Sequence, residues 1–344
     1  MQRFLIVKIT AIGDVVIATP VARELRRVFP DSHIAWLVDT RAAAGVRGNP
    51  NVDEIITFDA KSVRAYWRAV ARLRRGAFDV AIDVQGLAKT ALLLRATRIP
   101  ERIGPDDRGR VTRSCYTKLV SQEPHEWYDY NSQVYLAALA DYGVTTDDYQ
   151  TELHLSDEDL AEADALWAEA GLGGGQPVLG LIPFTSLRSK EWAPEKYAEV
   201  ATRLAAEAGF RPAVFGSASE RARADELAGM IDADPVVLAG ETSLGGAGAC
   251  IARCDLVIGG DTGLTHYAFA LRRPQVTIHG PGRLLTTPVG ERATRVAAPC
   301  DLRPCSITEP CLKTQNGRPC MDAVAPTEVV DAALELMNRY PPGA

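Results

Sequence analysis

Short apolar runs rich in β-branched residues alternate along the chain with stretches whose apolar positions recur at helical spacing. "RFLIVKI" near the N-terminus reads as a buried strand. Val21, Leu25, Val28 and Phe29 then share one face of a helix, and "HIAWLVD" reads as the next strand. "VDEIITFD", a helix around Tyr66 to Leu73, and "DVAIDVQG" continue the alternation, which predicts a parallel sheet wound with helices.

The pattern pauses at "TELHLSDEDLAEADALWAEAGLGGGQP". Ser156 with Asp159 three residues later fits a helix start, Leu160, Ala163 and Trp167 share a face, and the glycine run ends the helix. The second half repeats the grammar. "VLGLIPF", "RPAVFG", "PVVLAG", "DLVIGG" and "QVTIHG" read as strands, separated by helices over Lys196–Ala208, Glu220–Ile231, Leu244–Arg253 and from about Leu264. A last helix, Pro326 to Met337, follows a cysteine-bearing loop.

A chain of 344 residues exceeds the usual size of one hydrophobic core. The expectation is therefore two doubly wound α/β domains, residues 1–155 and 156–325, with a C-terminal helix and tail over 326–344. Two such domains facing one another form a cleft, and ligands of such sheets bind outside the carboxyl ends of the strands.

Composition changes this picture little: 47% apolar and 24% charged residues are ordinary for a globular protein. No run approaches 18 uninterrupted apolar residues, and Lys8 and Asp14 interrupt the first apolar stretch, so neither a transmembrane helix nor a signal peptide is expected. The chain reads as cytoplasmic, with its seven cysteines mostly reduced.

Charge changes it more. Residues 60–120 hold 14 Lys and Arg against five acids, a net +9, which leaves −15 on the rest of a chain whose total is −6. Such separation suggests an anionic partner near the first half, although a solvated helical face has the same composition.

The strongest local signal is "DLVIGGDTGLTHYAFAL". A buried strand ends in Gly259 and Gly260, the chain turns through Asp261, Thr262 and Gly263, and an apolar helix begins. Unpaired N–H groups at that helix start suit a phosphate; the same residues also fit a plain N-cap and tight turn. A second signal, "IPFTSLRSKEW", gathers Thr185, Ser186, Ser189 and Lys190 after the first strand of the second half, where a pyrophosphate could be held, with a solvated loop as the competing reading.

"GDTGLTH", "IPFTSLRSKEW", "FGSASE" and the opening "KITAIGDVVIATPVARELRRVFP" resemble, in order and spacing, the ADP-heptose:lipopolysaccharide heptosyltransferases, an inverting glycosyltransferase family of the GT-B fold. The resemblance extends over nearly the whole chain, including "IDVQGLAKTALLLRATRIPERIG" and the late "PCM". It implies a GT-B fold of two Rossmann-like domains, the first for the acceptor and the second for the nucleotide sugar, with the final helix a candidate to cross back to the first domain.

The resemblance also assigns roles. Asp14 matches the general base that takes the proton from the acceptor hydroxyl. Lys190, Thr185 and Ser186 match donor-phosphate contacts, and Thr262 and Gly263 would offer N–H groups to the same diphosphate. Asp261 would bind heptose hydroxyls, His266 would touch the donor or pack in its helix, and Glu220 would bind the ribose or simply be a glutamate on a helix surface. "FTSLRS" differs from the residue mix common in the family's phosphate loop, which leaves the individual hydroxyl contacts and the role of Arg188 open.

Asp157 and Asp159 lie in a helix start rather than at a strand end, so no cofactor or metal is expected, with Lys190 and the helix N-terminus in place of a divalent ion. The acceptor implied is an anionic glycolipid, Kdo-bearing lipid A, met by Lys61, Arg64, Lys89, Arg98, Arg102, Arg110 and Arg113 at the inner-membrane surface. No nucleic-acid partner is expected. Cys300, Cys305, Cys311 and Cys320 fit free thiols better than zinc, given their uneven spacing. A nucleotide-sugar epimerase or hydrolase and a non-enzymatic nucleotide-sugar-binding protein stand as alternatives, as does a family member with another sugar donor or glycan acceptor.

Overall fold

The computed structural model describes residues 1–121, 130–146, 148–300, 305 and 319–343. The chain divides into two compact units, Met1–His154 and Leu155–Ala344.

In the first unit β1 (Arg3–Val7), β2 (His33–Asp39), β3 (Glu54–Phe58), β4 (Val80–Asp83), β5 (Glu101–Pro105) and β6 (Lys118–Val120) form a parallel sheet in the order β3-β2-β1-β4-β5-β6. The second unit contains β7 (Val178–Ile182), β8 (Arg211–Val214), β9 (Val236–Val237), β10 (Leu256–Gly260), β11 (Gln275–Ile278) and β12 (Ala293–Val296), in the order β12-β11-β10-β7-β8-β9. Counted within each unit the two orders are identical. Each sheet reverses direction next to its first strand, between β1 and β4 and between β7 and β10, and such a switch point opens a crevice at the strands' carboxyl ends.

The continuous apolar runs explain this architecture. Phe4, Leu5, Ile6 and Val7 are all fully buried, as expected of a strand covered by helices on both faces. Gly259 makes a close approach possible: a Cβ there would lie 2.7 Å from Thr265 Cγ2 and 2.9 Å from the Ile182 carbonyl oxygen. The helix Gly263–Ala270 can therefore start hard against β10.

The structure departs from the sequence pattern in two places. Asp14 lies inside a short helix, Ile12–Ile17, ahead of the helix Thr19–Val28; the β-branched run that follows it is helical because tertiary burial outweighs its strand propensity. The strands β5, β6 and β12, none of which is an unbroken apolar run, went unread. Within the second unit, Val329, Val330, Ala333 and Leu336 of the final helix, Pro326–Arg339, complete the core beside Leu204, Leu256 and Val276.

Candidate functional sites at two switch points

At the first switch point the chain leaves β1 through Lys8 and enters the helix Ile12–Ile17. Gln85, just beyond β4, fixes this passage by accepting the N–H groups of Ile9 and Thr10 with Oε1, both at 3.0 Å. Asp14 is the third residue of the helix. Its Oδ2 accepts the Ala11 N–H at 3.3 Å and lies 3.5 Å from Lys8 Nζ, while 40% of the side chain faces solvent.

Lys8 itself is buried, donates to the Tyr135 hydroxyl at 2.9 Å and lies over the Tyr135 ring. Burial works against its ammonium, but the charges and hydrogen bonds of Tyr135 and Asp14 outweigh it and raise the Lys8 pKa above its ordinary value. The site thus presents a tethered, half-exposed carboxylate backed by a buried cation. Lys8 and Tyr135 were missed by the sequence reading, although a lysine continuing a buried-strand pattern is itself a signal.

At the second switch point the loop after β7 and the turn after β10 meet. Lys190 Nζ donates to Asp261 Oδ2 at 2.6 Å, Thr286 donates to the same oxygen at 3.0 Å, and His266 Nε2 lies 3.7 Å from Oδ1. Asp261 has only 7% of its side chain exposed. Burial opposes its ionisation, but the His266 hydrogen bond and the Lys190 charge overcome this and hold the carboxyl well below the usual carboxylate range. Such a carboxylate accepts hydrogen bonds; it does not take up a proton near neutral pH.

Thr262 caps the helix Gly263–Ala270 in extended conformation, and its N–H reaches Thr265 Oγ1 at 3.3 Å. The Gly263 and Leu264 N–H groups open the helix without intrahelical acceptors, the arrangement that binds anions. The Thr185 hydroxyl, in contrast, donates to the Leu187 carbonyl at 2.7 Å and shapes its own loop, whereas Ser186 is exposed.

Glu191 and Arg223, unread in the sequence, hold that loop. Glu191 is 5% exposed, receives both Arg223 amino groups at 2.6 and 3.2 Å, and accepts the Thr185 N–H at 3.3 Å. Arg188, 76% exposed, reaches Glu191 at 3.5 Å. Glu220 caps the turn after β8, its Oε2 accepting the N–H and hydroxyl of Ser217 at 2.7 and 2.8 Å.

The basic residues of the first unit separate into two kinds. Lys61, Arg64, Lys89, Arg98, Arg110 and Arg113 are exposed. Arg102 turns inward, its guanidinium donating to the carbonyls of Cys115 and Ile99, so it braces the sheet edge.

Among the described residues no group of three or more His, Cys, Asp or Glu could hold a metal ion. Cys311 lies outside them, and Cys305 Sγ accepts the Gly282 N–H at 3.3 Å. A second Asp-x-Asp, Asp232 to Asp234, lies in the loop before β9 instead of closing a strand, and Asp234 is paired with Arg211 at 2.7 Å. Among the described residues no helix is long and apolar enough to cross a membrane.

Comparison with known proteins fits this geometry. The chain is 30% identical to lipopolysaccharide heptosyltransferase 1 of Pseudomonas aeruginosa, over 81% of this chain and 79% of that protein. The solved structure of Escherichia coli ADP-heptose LPS heptosyltransferase II superposes with a TM-score of 0.78 at 23% identity, covering 98% of this chain and 99% of that one. E. coli heptosyltransferase WaaC with ADP gives 0.71 at 22% identity, over 97% and 100%. The family described as glycosyltransferase family 9 (heptosyltransferase) matches residues 66–314. With two parallel six-stranded sheets of the GT-B kind and a match of that length, the chain belongs to glycosyltransferase family 9 and is a glycosyltransferase.

Proposed function

We propose that the protein is an inverting heptosyltransferase that moves heptose from ADP-heptose to the lipopolysaccharide inner core, either Kdo-lipid A or its heptosylated form. The observation that carries this reading is the Asp14 carboxylate: tethered by the Ala11 N–H, backed by Lys8 and open to solvent at a switch point. The names of the relatives, which are lipopolysaccharide heptosyltransferases, support the donor and the acceptor.

Asp14 accepts the proton of the acceptor hydroxyl as its oxygen bonds to the anomeric carbon. The bond from that carbon to the diphosphate breaks in the same step, ADP leaves with the electron pair, and the configuration inverts. Base catalysis of this kind contributes about 10²- to 10⁴-fold.

Lys190 keeps N–H groups for the departing diphosphate beyond the one given to Asp261, and the Gly263 and Leu264 N–H groups supply further donors. Asp261, held ionised, accepts heptose hydroxyls, with His266 and Thr286 fixing its orientation. Glu220 keeps Oε1 for the ribose, and Ser186 reaches a phosphate oxygen more readily than Thr185. In this reading positive charge comes from the chain's own groups, and catalysis proceeds in EDTA. The enzyme works at the inner face of the cytoplasmic membrane, where its acceptor lies, with Lys61, Arg64, Lys89 and Arg98 meeting the acceptor's anionic groups.

The test is ADP release from ADP-heptose in EDTA, with and without Kdo-lipid A or heptosyl-Kdo-lipid A, for the wild type and Asp14→Asn. Acceptor-dependent release that collapses in the variant supports the reading. Equal release without acceptor would point to a hydrolase or epimerase instead.

A further inference from the structure

We propose that the outer face of the first unit's crossover helices is a bilayer-docking surface that inserts Trp67 and neighbouring aliphatic side chains among anionic phospholipids. The inference deepens the membrane location proposed above by naming the surface, and it rests on that reading only for its biological setting.

The topology builds this face. The connections β3 to β4, β4 to β5 and β5 to β6 all advance in the same direction along the sheet, and right-handed crossovers place their helices on one side. The helices are Val63–Arg75, Ala88–Thr97 and Arg110–Arg113. Their inner residues, including Val70, Leu73, Ala91 and Leu94, share one core with Leu5, Val7 and Leu37 of the sheet. Side-chain bonds to carbonyls tie the helices into one layer: Tyr66 to Lys89 at 3.4 Å, Arg74 to Ala96 at 2.9 Å and Arg95 to Ser114 at 3.4 Å.

The outer side of that layer is both apolar and cationic. Val63 is 75% exposed, Val111 68%, Trp67 59% and Leu92 46%. A single exposed apolar residue is unremarkable, but large apolar side chains on three adjoining helices need an explanation. On the first helix Val63 and Trp67 stand one turn apart, with Arg64 and Arg68 beside them at the same spacing. Lys89, Arg110 and Arg113 extend the positive surround. Residues 61–78, 84–100 and 108–118 contain no acid at all.

This combination selects the partner. A tryptophan with aliphatic neighbours inside a ring of Lys and Arg matches the boundary between headgroups and acyl chains, where the indole takes its usual interfacial place and the cations meet lipid phosphates. A nucleic acid would satisfy the charges but would leave Val63, Leu92 and Val111 facing a hydrated backbone. A protein partner would have to be acidic around an apolar centre. The bilayer answers the charge and the apolar patch together, and reversible attachment requires both, since either alone is marginal. Each basic side chain close to an anionic surface is worth roughly fivefold in partition.

The test is co-sedimentation of the whole protein with vesicles of phosphatidylcholine alone, or mixed with phosphatidylglycerol, with no donor and no sugar acceptor present. The mixed vesicles should capture the protein, and salt should weaken the capture. Trp67→Ser should lower partition roughly tenfold, and the double variant Arg64→Glu/Arg68→Glu should abolish it. Both sites are at the surface, so unchanged thermal unfolding should accompany these losses. Trp67→Ser should also leave turnover on a delipidated, water-soluble acceptor unchanged. Wild-type protein that stays in solution with mixed vesicles would overturn the proposal, as would capture indifferent to Trp67, or RNA binding unaffected by Trp67→Ser in place of vesicle binding. A protein that binds vesicles yet transfers no heptose would sink the proposed function and leave this surface standing.

Discussion

The two switch points use the same pair of residue types to opposite ends. Beside β1 the lysine is buried and the aspartate half exposed, 3.5 Å apart; beside β7 and β10 the aspartate is buried and tightly bonded to a less buried lysine at 2.6 Å. What separates a carboxylate left half open to solvent from one walled in by hydrogen-bond donors is which partner the sheet encloses. Asp261 is surrounded by His266, Lys190 and Thr286 and is locked ionised. Asp14 has one N–H, a more distant cation and open solvent. Identical strand order thus yields chemically different sites.

The largest effect that could break this comparison is on turnover. Asp14→Asn should cost about 10²- to 10⁴-fold in kcat with ADP affinity unchanged, measured by steady-state kinetics and calorimetry. Asp261→Asn as damaging to kcat alone would erase the distinction.

Next comes stability. Lys190→Met leaves Asp261 buried without its cation and should destabilise the second unit by about 3–5 kcal/mol in denaturant unfolding. Adding Asp261→Asn should restore much of that stability and none of the donor binding. A double variant no more stable than the single one would show that the pair is not the source of the loss.

The pH response should separate the two sites. A carboxylate whose pKa is depressed in the folded state contributes stability that is present above the unfolded value, near 3.9, and lost as pH falls through the lower folded value. Asp261 therefore supports the second unit through mild acid, and Asp261→Asn should remove an acid-side transition. Lys8 has the opposite sign. Its raised pKa contributes stability fully present below about 10.4 and lost as pH climbs through the folded value, so Lys8→Met should flatten the alkaline limb of unfolding. Urea midpoints across pH would read both.

The smallest effect concerns Thr286. Thr286→Val removes one hydrogen bond to an ionised oxygen and should cost about 1.5–3 kcal/mol or less, with a modest rise in donor KM.

Much of this was legible in the sequence because a parallel sheet covered on both sides writes itself as unbroken apolar runs. "FLIV" and "LVIGG" are such runs, whereas the interior strand β5, Glu101–Pro105, opens on a charged pair and ends on Gly-Pro and so carries no such run. The outer strands β6 and β12 carry none either, being half-covered strands of three or four residues. Lys190 and Asp261 could be picked out because they follow strands at carboxyl ends, and Asp14 because its surroundings resemble the family's opening motif. Their partners could not: nothing local connects Lys8 with Tyr135, or Glu191 with Arg223, which meet only through tertiary packing. Side-chain direction was equally hidden. Arg102 reads as one more surface cation, and only the fold shows it bonded to carbonyls.

The place of the last helix carries a consequence for synthesis. All six strands of the first unit lie within its own 154 residues, so that unit can fold while the rest is still being made. The second unit lacks Val329, Val330, Ala333 and Leu336 until the helix Pro326–Arg339 has emerged. A ribosome that stops short of Pro326 would release a finished first unit joined to an unsealed second unit, with Leu204, Leu256 and Val276 open to chaperones and proteases.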